Sequence, residues 1–241
     1  MNGPYQHIPI LKEEITELLV ENPEGVYVDG TLGGGGHTEA ILQRLSDKGR
    51  IIGIDKDQDA LEACCERFQN YSGRIQYIHG DFMQMTALIK KTGINQVDGI
   101  LLDLGVSSHQ IDSPDRGFSY IQSGPLDMRM NVSEPVSAYE LVNKTDLPEL
   151  ERIFRQYGEE RLARPIARAI GRGRERAPIR STGDLVSLIK PIVKHRPLYK
   201  TCARVFQALR IAVNSEIDPL GQGLADAVDL LRVGGRLGVI T

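Results

Sequence analysis

Four aspartates stand at intervals through the first half of the chain, and each closes or follows a short apolar run. Asp29 follows Val26-Tyr27-Val28, Asp55 follows Ile51-Ile52-Gly53-Ile54, Asp81 follows Tyr77-Ile78-His79-Gly80, and Asp103 follows Ile100-Leu101-Leu102. Carboxylates at the ends of β-branched runs suit two tasks: accepting hydrogen bonds from sugar hydroxyls, and stabilising positive charge on a ligand or a reacting group. Directly after Asp29 comes Gly30-Thr31-Leu32-Gly33-Gly34-Gly35-Gly36-His37-Thr38. Glycines in such a place let the backbone turn tightly and approach a ligand closely.

What this loop lacks narrows the ligand. A dinucleotide fingerprint, G-x-G-x-x-G, started at Gly33 or Gly34 puts its last glycine on Thr38 or Glu39. A phosphate-cradling G-x-x-x-x-G-K-[ST] loop ending at Thr38 needs glycine at Thr31 and lysine at His37. Both patterns fail. An acid followed by a phosphate-indifferent glycine run fits a ligand with a cationic end, and S-adenosylmethionine, a sulfonium with an amino-acid tail, has that character. The plainer alternative is a tight turn with no ligand.

The elements that position these residues read as a repeating pattern. Strands are expected at about Val26–Asp29, Arg50–Asp55, Arg74–His79 and Val97–Asp103, separated by helices from about His37 and from an Asp57 cap. An earlier helix should carry Ile10, Leu11, Ile15, Leu18 and Leu19 on one face. Cys64 and Cys65 fall at core spacing on the helix after Asp57. This order gives βαβ units and a parallel sheet, with ligands beyond the carboxyl ends of the strands. After Asp103 a long turn-rich stretch leads into an arginine-rich helical region. The sheet pattern then resumes with a helix from about Ile217 to Leu231, stopped by Gly234-Gly235, and a fifth strand, Arg236–Thr241. Residues 1–107 and 213–241 are thus expected to form one domain and 108–212 an inserted, mostly helical one.

Within that frame Asp55, 26 residues after Asp29, is placed to accept both ribose hydroxyls. Phe82 can stack on an adenine or simply fill the core. Asp103 lies where a methyl group would be presented, able to accept an N–H as a weakly nucleophilic exocyclic amine attacks. Methylation at a pyrimidine carbon would instead need a nucleophilic cysteine. Cys64 and Cys65 look buried, and Cys202 lies far from the strand ends in sequence. Nitrogen is therefore the expected acceptor. The five histidines, scattered at 7, 37, 79, 109 and 195, show no metal-ligand spacing, so no metal is expected.

Charge points to a partner. The 241 residues carry a net charge of only −3, but Leu150 to Arg210 holds 15 Lys and Arg against 5 Asp and Glu, +10 against −13 elsewhere. One-signed segregation over such a length is the footprint of a polyanion. Three cysteines make no disulfide framework, and neither a signal peptide nor a membrane span is recognisable, so a reducing, cytoplasmic setting is expected.

Several blocks together resemble one family. These are His7-Ile8-Pro9, Tyr27 to Gly33 with Gly35-Gly36-His37, Asp103 to Ser108 with Gln110, Arg116 to Ser119, Gly124 to Met130, Tyr157 to Glu160, and Phe206 to Ile211 with Val213-Asn214. In these the chain is similar to the bacterial RsmH (MraW) family, ribosomal small-subunit RNA methyltransferases that act on the N4 amine of a cytidine in the decoding centre. The resemblance implies a class I methyltransferase fold with an inserted helical domain and a 16S rRNA or small-subunit partner. It also implies S-adenosylmethionine contacts from Gly35, Gly36, His37, Asp55, Phe82, Asp103 and Gln110. Members of the family continue past the fifth strand with further strands, which this sequence is expected to lack. A small-amine methyltransferase and a non-catalytic rRNA-binding assembly factor are the alternatives. The oligomeric state is left open, a homodimer included.

Overall fold

The computed structural model describes residues 9–194 and 196–241, so His7, Ile8 and His195 lie outside the described residues. The chain forms two compact units: the described residues up to Ser108 together with Pro219–Thr241, and His109–Asp218.

The first unit is a five-stranded sheet in the order β3-β2-β1-β4-β5, with every neighbouring pair parallel. Its strands are β1 (Val26–Asp29), β2 (Arg50–Asp55), β3 (Ile75–His79), β4 (Val97–Asp103) and β5 (Leu231–Ile240). Between them run α1 (Lys12–Leu19), α2 (Gly36–Arg44), α3 (Gln58–Arg67), α4 (Met85–Lys90) and, much later, α11 (Leu220–Leu230). Strand side chains alternate between faces, so both faces must be covered for such apolar strands to be stable. Tyr27, Ile51 and Leu101 pack on one side with Ile41 of α2 and Cys64 of α3. Val28, Ile52, Ile100 and Leu102 pack on the other with Met85 and Ile89 of α4 and Ala227 and Leu230 of α11. β1 lies between β2 and β4, so successive connections leave it in opposite directions. The carboxyl ends of β1 and β4 thereby border the crevice where open α/β sheets bind ligands.

Three local expectations need correction. Thr16 and Leu19 of α1 are buried and Ile15 packs partly against the same core, while Ile10 and Leu11 are exposed because the helix begins only at Lys12 after a left-handed Leu11 (φ 54°), and Leu18 is exposed because it points about 100° away from that side. Cys65 is exposed and only Cys64 is buried, since adjacent helical positions point about 100° apart and one alone can face the sheet. Gly234-Gly235 does not stop α11. The helix ends at Leu230, and the strand begins at once, with Leu231 opposite Val97 and Arg236 opposite Gly99. The extra residues form a bulge containing Gly234 at φ 84°, and Arg232 beside it ion-pairs with Asp98 at 3.0 Å.

The second unit holds α6 (Ala138–Lys144), α7 (Leu147–Gln156), α8 (Ala163–Arg174), α9 (Thr182–Val193) and α10 (Leu198–Asn214), with the short α5 (Ser108–Asp112) at the junction. Capping boxes at Ser137/Glu140 and Ser181/Asp184 start α6 and α9. The turn-rich segment before α6 is tied down. Arg116 donates to the carbonyls of Arg129 and Met130 at 3.0 Å, and Asn214 at the end of α10 accepts from Met130 N–H and donates to Met128 O, both at 2.8 Å. Arg204 donates to the fully buried Glu160 carboxylate at 2.7 Å, joining α10 to the turn before α8. Among the described residues no helix is long and apolar enough to cross a membrane.

Candidate active site at the strand ends

The glycine loop is held from three sides. Leu32 N–H donates to Ile54 O at 3.1 Å and the leucine side chain enters the core, so the loop leans over the end of β2. Gly33 N–H then reaches the Asp55 carboxylate at 2.8 Å, while the other Asp55 oxygen accepts Asp57 N–H at 2.8 Å. From α3, the Cys64 thiol donates to Gly33 O at 3.3 Å and Arg67 donates to Gly34 O at 2.6 Å. Gly33 and Gly35 have φ of 49° and 74°, a region in which only glycine sits without strain.

Beneath the loop Asp29 is 1% exposed. It accepts the Thr38 hydroxyl at 2.7 Å and Thr31 N–H at 3.3 Å, and so braces the start of α2 against β1 rather than facing a ligand. Burial raises its pKa, the Thr38 hydroxyl and the nearby His37 pull it down, and the charge of Asp103 pushes it up. Thr31 also joins two strands, its hydroxyl accepting Asp103 N–H at 2.6 Å. The Asp103 side chain is 40% exposed, with one oxygen 3.5 Å from His37 Nε2, an ion-pair distance rather than a formed hydrogen bond. His37 is 6% exposed, and neither ring nitrogen has a hydrogen-bond partner among the described residues. A buried polar group without a partner costs stability, and such groups in native proteins call for a functional account.

Asp55 titrates far from its usual range. Burial is the main cause, the Asp57 and Gly33 N–H groups oppose it, and the charges of Asp57 and Asp29 add to it, leaving the carboxyl pushed up to about 6. Asp81, the remaining strand-end acid, is taken up by Lys56 at 2.8 Å and by Met83 N–H at 3.0 Å. Phe82 is 9% exposed and belongs to the core cluster around Ile52, Ile54 and Met85. Gly36 begins α2 against Pro9. Gln110, buried on α5, belongs to the other unit. The structure therefore gathers Asp55, Asp103, His37 and the glycine loop at the strand ends. Thr31, Thr38, Cys64 and Arg67 were missed as site residues. Only the hydroxyl residues flanking the glycine run carried a signal that could have found two of them.

S-adenosylmethionine fits what is there. The unpartnered imidazole of His37 is buried beside a carboxylate that is 40% exposed, acids stand at the ends of β2 and β4, and a Cβ placed on Gly34 or Gly105 would meet no described atom within 4 Å. This parallel sheet, with its acids and open glycine loop, is that of a class I S-adenosylmethionine-dependent methyltransferase.

Residues 4–241 match the MraW methylase family, and the chain belongs to it. It is 46% identical over 239 residues to the ribosomal RNA small subunit methyltransferase H of Fusobacterium nucleatum, covering 99% of this chain and 76% of that protein. It is also 46% identical over 239 residues to the protein of the same name from Clostridium botulinum strain Loch Maree, covering 98% and 77%.

The two central glycines should separate folding from binding. Alanine at Gly35 would press on Phe68 Cε2 at 2.6 Å and Cys64 Sγ at 2.9 Å in a left-handed backbone. That should lower the melting temperature by roughly 5–10 °C. Alanine at Gly34 meets open space and should leave melting unchanged, yet weaken S-adenosylmethionine binding by about tenfold or more if ligand occupies that space. Calorimetry with the Gly34→Ala protein matching wild type would place the ligand elsewhere.

Proposed function

We propose that this chain transfers a methyl group from S-adenosylmethionine to the N4 amine of a cytidine in the decoding centre of 16S ribosomal RNA, in the free RNA or the small subunit, in the cytoplasm. The observation that carries the reading is the exposed Asp103 carboxylate beside the glycine loop in a chain 46% identical to proteins named for small-subunit rRNA methylation. When bound, S-adenosylmethionine supplies an electrophilic methyl on sulfur. Asp103 accepts an N–H of the amine, so that positive charge developing on nitrogen is offset and the proton has a path away. Asp55 holds the loop through Gly33 and keeps lone pairs for ribose hydroxyls.

Carbon methylation is disfavoured by the thiols. Cys64 is pushed up to about 12 by burial and donates to Gly33 O, so it is no nucleophile at neutral pH. Cys202 is buried in the other unit and pushed up to about 11, and Cys65 lies on the exposed side of α3. A small-amine acceptor would leave the +10 segment of the second unit without use.

Mass spectrometry of small-subunit rRNA from cells with and without this protein is the test. N4-methylcytidine lost with the protein and restored by it supports the reading. Unchanged N4 methylation would overturn it, and failure of the full-length protein to bind S-adenosylmethionine would favour an assembly factor.

A further inference from the structure

We infer that one face of α8 is the surface that grips the RNA backbone, through the arginine row Arg161, Arg164, Arg168 and Arg172. This deepens the rRNA reading above and rests on it. Arg164, Arg168 and Arg172 recur every four residues along α8, and Arg161 precedes it at the spacing that extends the same side. The Cα atoms of Arg164, Arg168 and Arg172 thus stand about 6 Å apart along the axis, roughly one per helical turn. All four are exposed, and the helix ends at Arg174, with the exposed Arg176 four residues after Arg172 in the turn beyond it.

The exposed Arg176, Arg180 and Arg196, which like the row have no side-chain partner among the described residues, lie beyond the end of α8, and several other arginines of this unit are held within the fold. Arg152 and Arg155 pair with Glu149 and Glu151, Arg204 and Arg210 with Glu160 and Glu216, and Arg174 donates to the carbonyls of Val142 and Thr145. Those cations serve the fold. No hydrogen bond or ion pair among the described residues holds the four of the row, so their charge is uncompensated and their forks are free for an outside acceptor. Four arginines without acids between them repel one another and gain nothing for folding.

The row is also presented rigidly. The opposite side of α8 buries Ile166 and Ile170, each 0% exposed, and closes on α7 and α9 so tightly that a Cβ on Gly171 would meet Leu147 and one on Gly173 would meet Leu188. A fixed backbone lowers the ordering cost of binding. Arginine's planar fork suits phosphate oxygens bidentately, and a row of evenly spaced forks suits a chain of phosphates rather than a single anion. None of the large exposed apolar residues lies on α8, so the face lacks the anchors of a protein interface or of membrane insertion.

The test uses the full chain with Arg164, Arg168 and Arg172 changed together to Glu, alongside a control of equal charge change, K190E/K194E/K200E. Binding of a small-subunit rRNA fragment is measured across salt concentration, with melting and S-adenosylmethionine calorimetry on both variants. The arginine variant should keep melting and cofactor affinity, lose RNA affinity by about 100-fold or more, and flatten the plot of log K against log salt by roughly 2–3. The lysine control should lose less than about tenfold. Equal losses in both variants would mean a diffuse field, and unchanged affinity in the arginine variant would mean another surface; either result overturns the inference. An R164K/R168K/R172K variant should recover the salt slope with only part of the affinity. If wild type places no methyl on rRNA while binding still depends on the row, the rRNA methylation reading falls and the docking face stands.

Discussion

Asparagine at Asp103 should slow methyl transfer to RNA by about 100- to 1000-fold, the range expected when a positioned acid–base group is lost. The substitution keeps the size of the side chain and the backbone N–H that donates to Thr31, so the end of β4 should stay in place. It removes the negative charge 3.5 Å from His37 and the acceptor for the attacking amine. Single-turnover rates together with cofactor calorimetry separate the two roles open to this carboxylate. A large fall in rate with cofactor affinity changed by less than about tenfold assigns Asp103 to the reacting amine. An unchanged rate at saturating cofactor, with weakened binding alone, would make it a cofactor ligand and remove the acceptor from the mechanism.

Cofactor affinity should fall steeply on the acid side of pH 6, and Asp55 should be the cause. Its carboxyl is pushed up to about 6 from an ordinary 3.8, so the folded protein holds this proton more tightly than the unfolded chain does. The contribution of Asp55 to fold stability is therefore greatest below pH 4 and is lost as pH rises through 6. Binding runs the other way. Ribose hydroxyls need the ionised carboxylate as acceptor, and a cationic ligand favours it, so affinity should rise from pH 5 to pH 7 by roughly tenfold per pH unit below the titration point. Asp55→Ala should lose about 100-fold in affinity at pH 7.5, with Gly33 N–H deprived of its acceptor as well. It should also show no comparable rise between pH 5 and pH 7. A mutant retaining the wild-type pH profile would move the titrating group elsewhere.

Much of the sheet was legible because its signals are local. Val26–Asp29, Arg50–Asp55 and Val97–Asp103 are apolar runs flanked by turn residues, and Asp57 caps α3 as its type suggests, accepting Asp59 N–H at 3.2 Å. The errors lie where tertiary packing overrode a local pattern. Ile10, Leu11 and Leu18 share an apolar spacing yet are exposed, and Gly234-Gly235 reads as a helix stop but serves a bulge in β5. Neither outcome is written in the ten or so residues around it. The bulge follows from how β5 meets β4, a partner more than 130 residues away.

The sequence by itself determined the kind of sheet, the acids at its strand ends, the glycine loop without phosphate chemistry, and the concentration of positive charge after Leu150. Each follows from residue type and short-range spacing, which fix backbone preference and side-chain chemistry wherever the chain goes. The tertiary structure alone decided which acids are free. It buried Asp29 under the Thr38 hydroxyl, gave Asp81 to Lys56, set Asp55 between two backbone amides, and left Asp103 open beside His37. It also sorted arginines that look alike in sequence into those held by nearby acids and carbonyls and those, the row on α8 among them, that are not. Those distinctions depend on desolvation and on partners brought from distant parts of the chain, quantities that exist only once the molecule has folded.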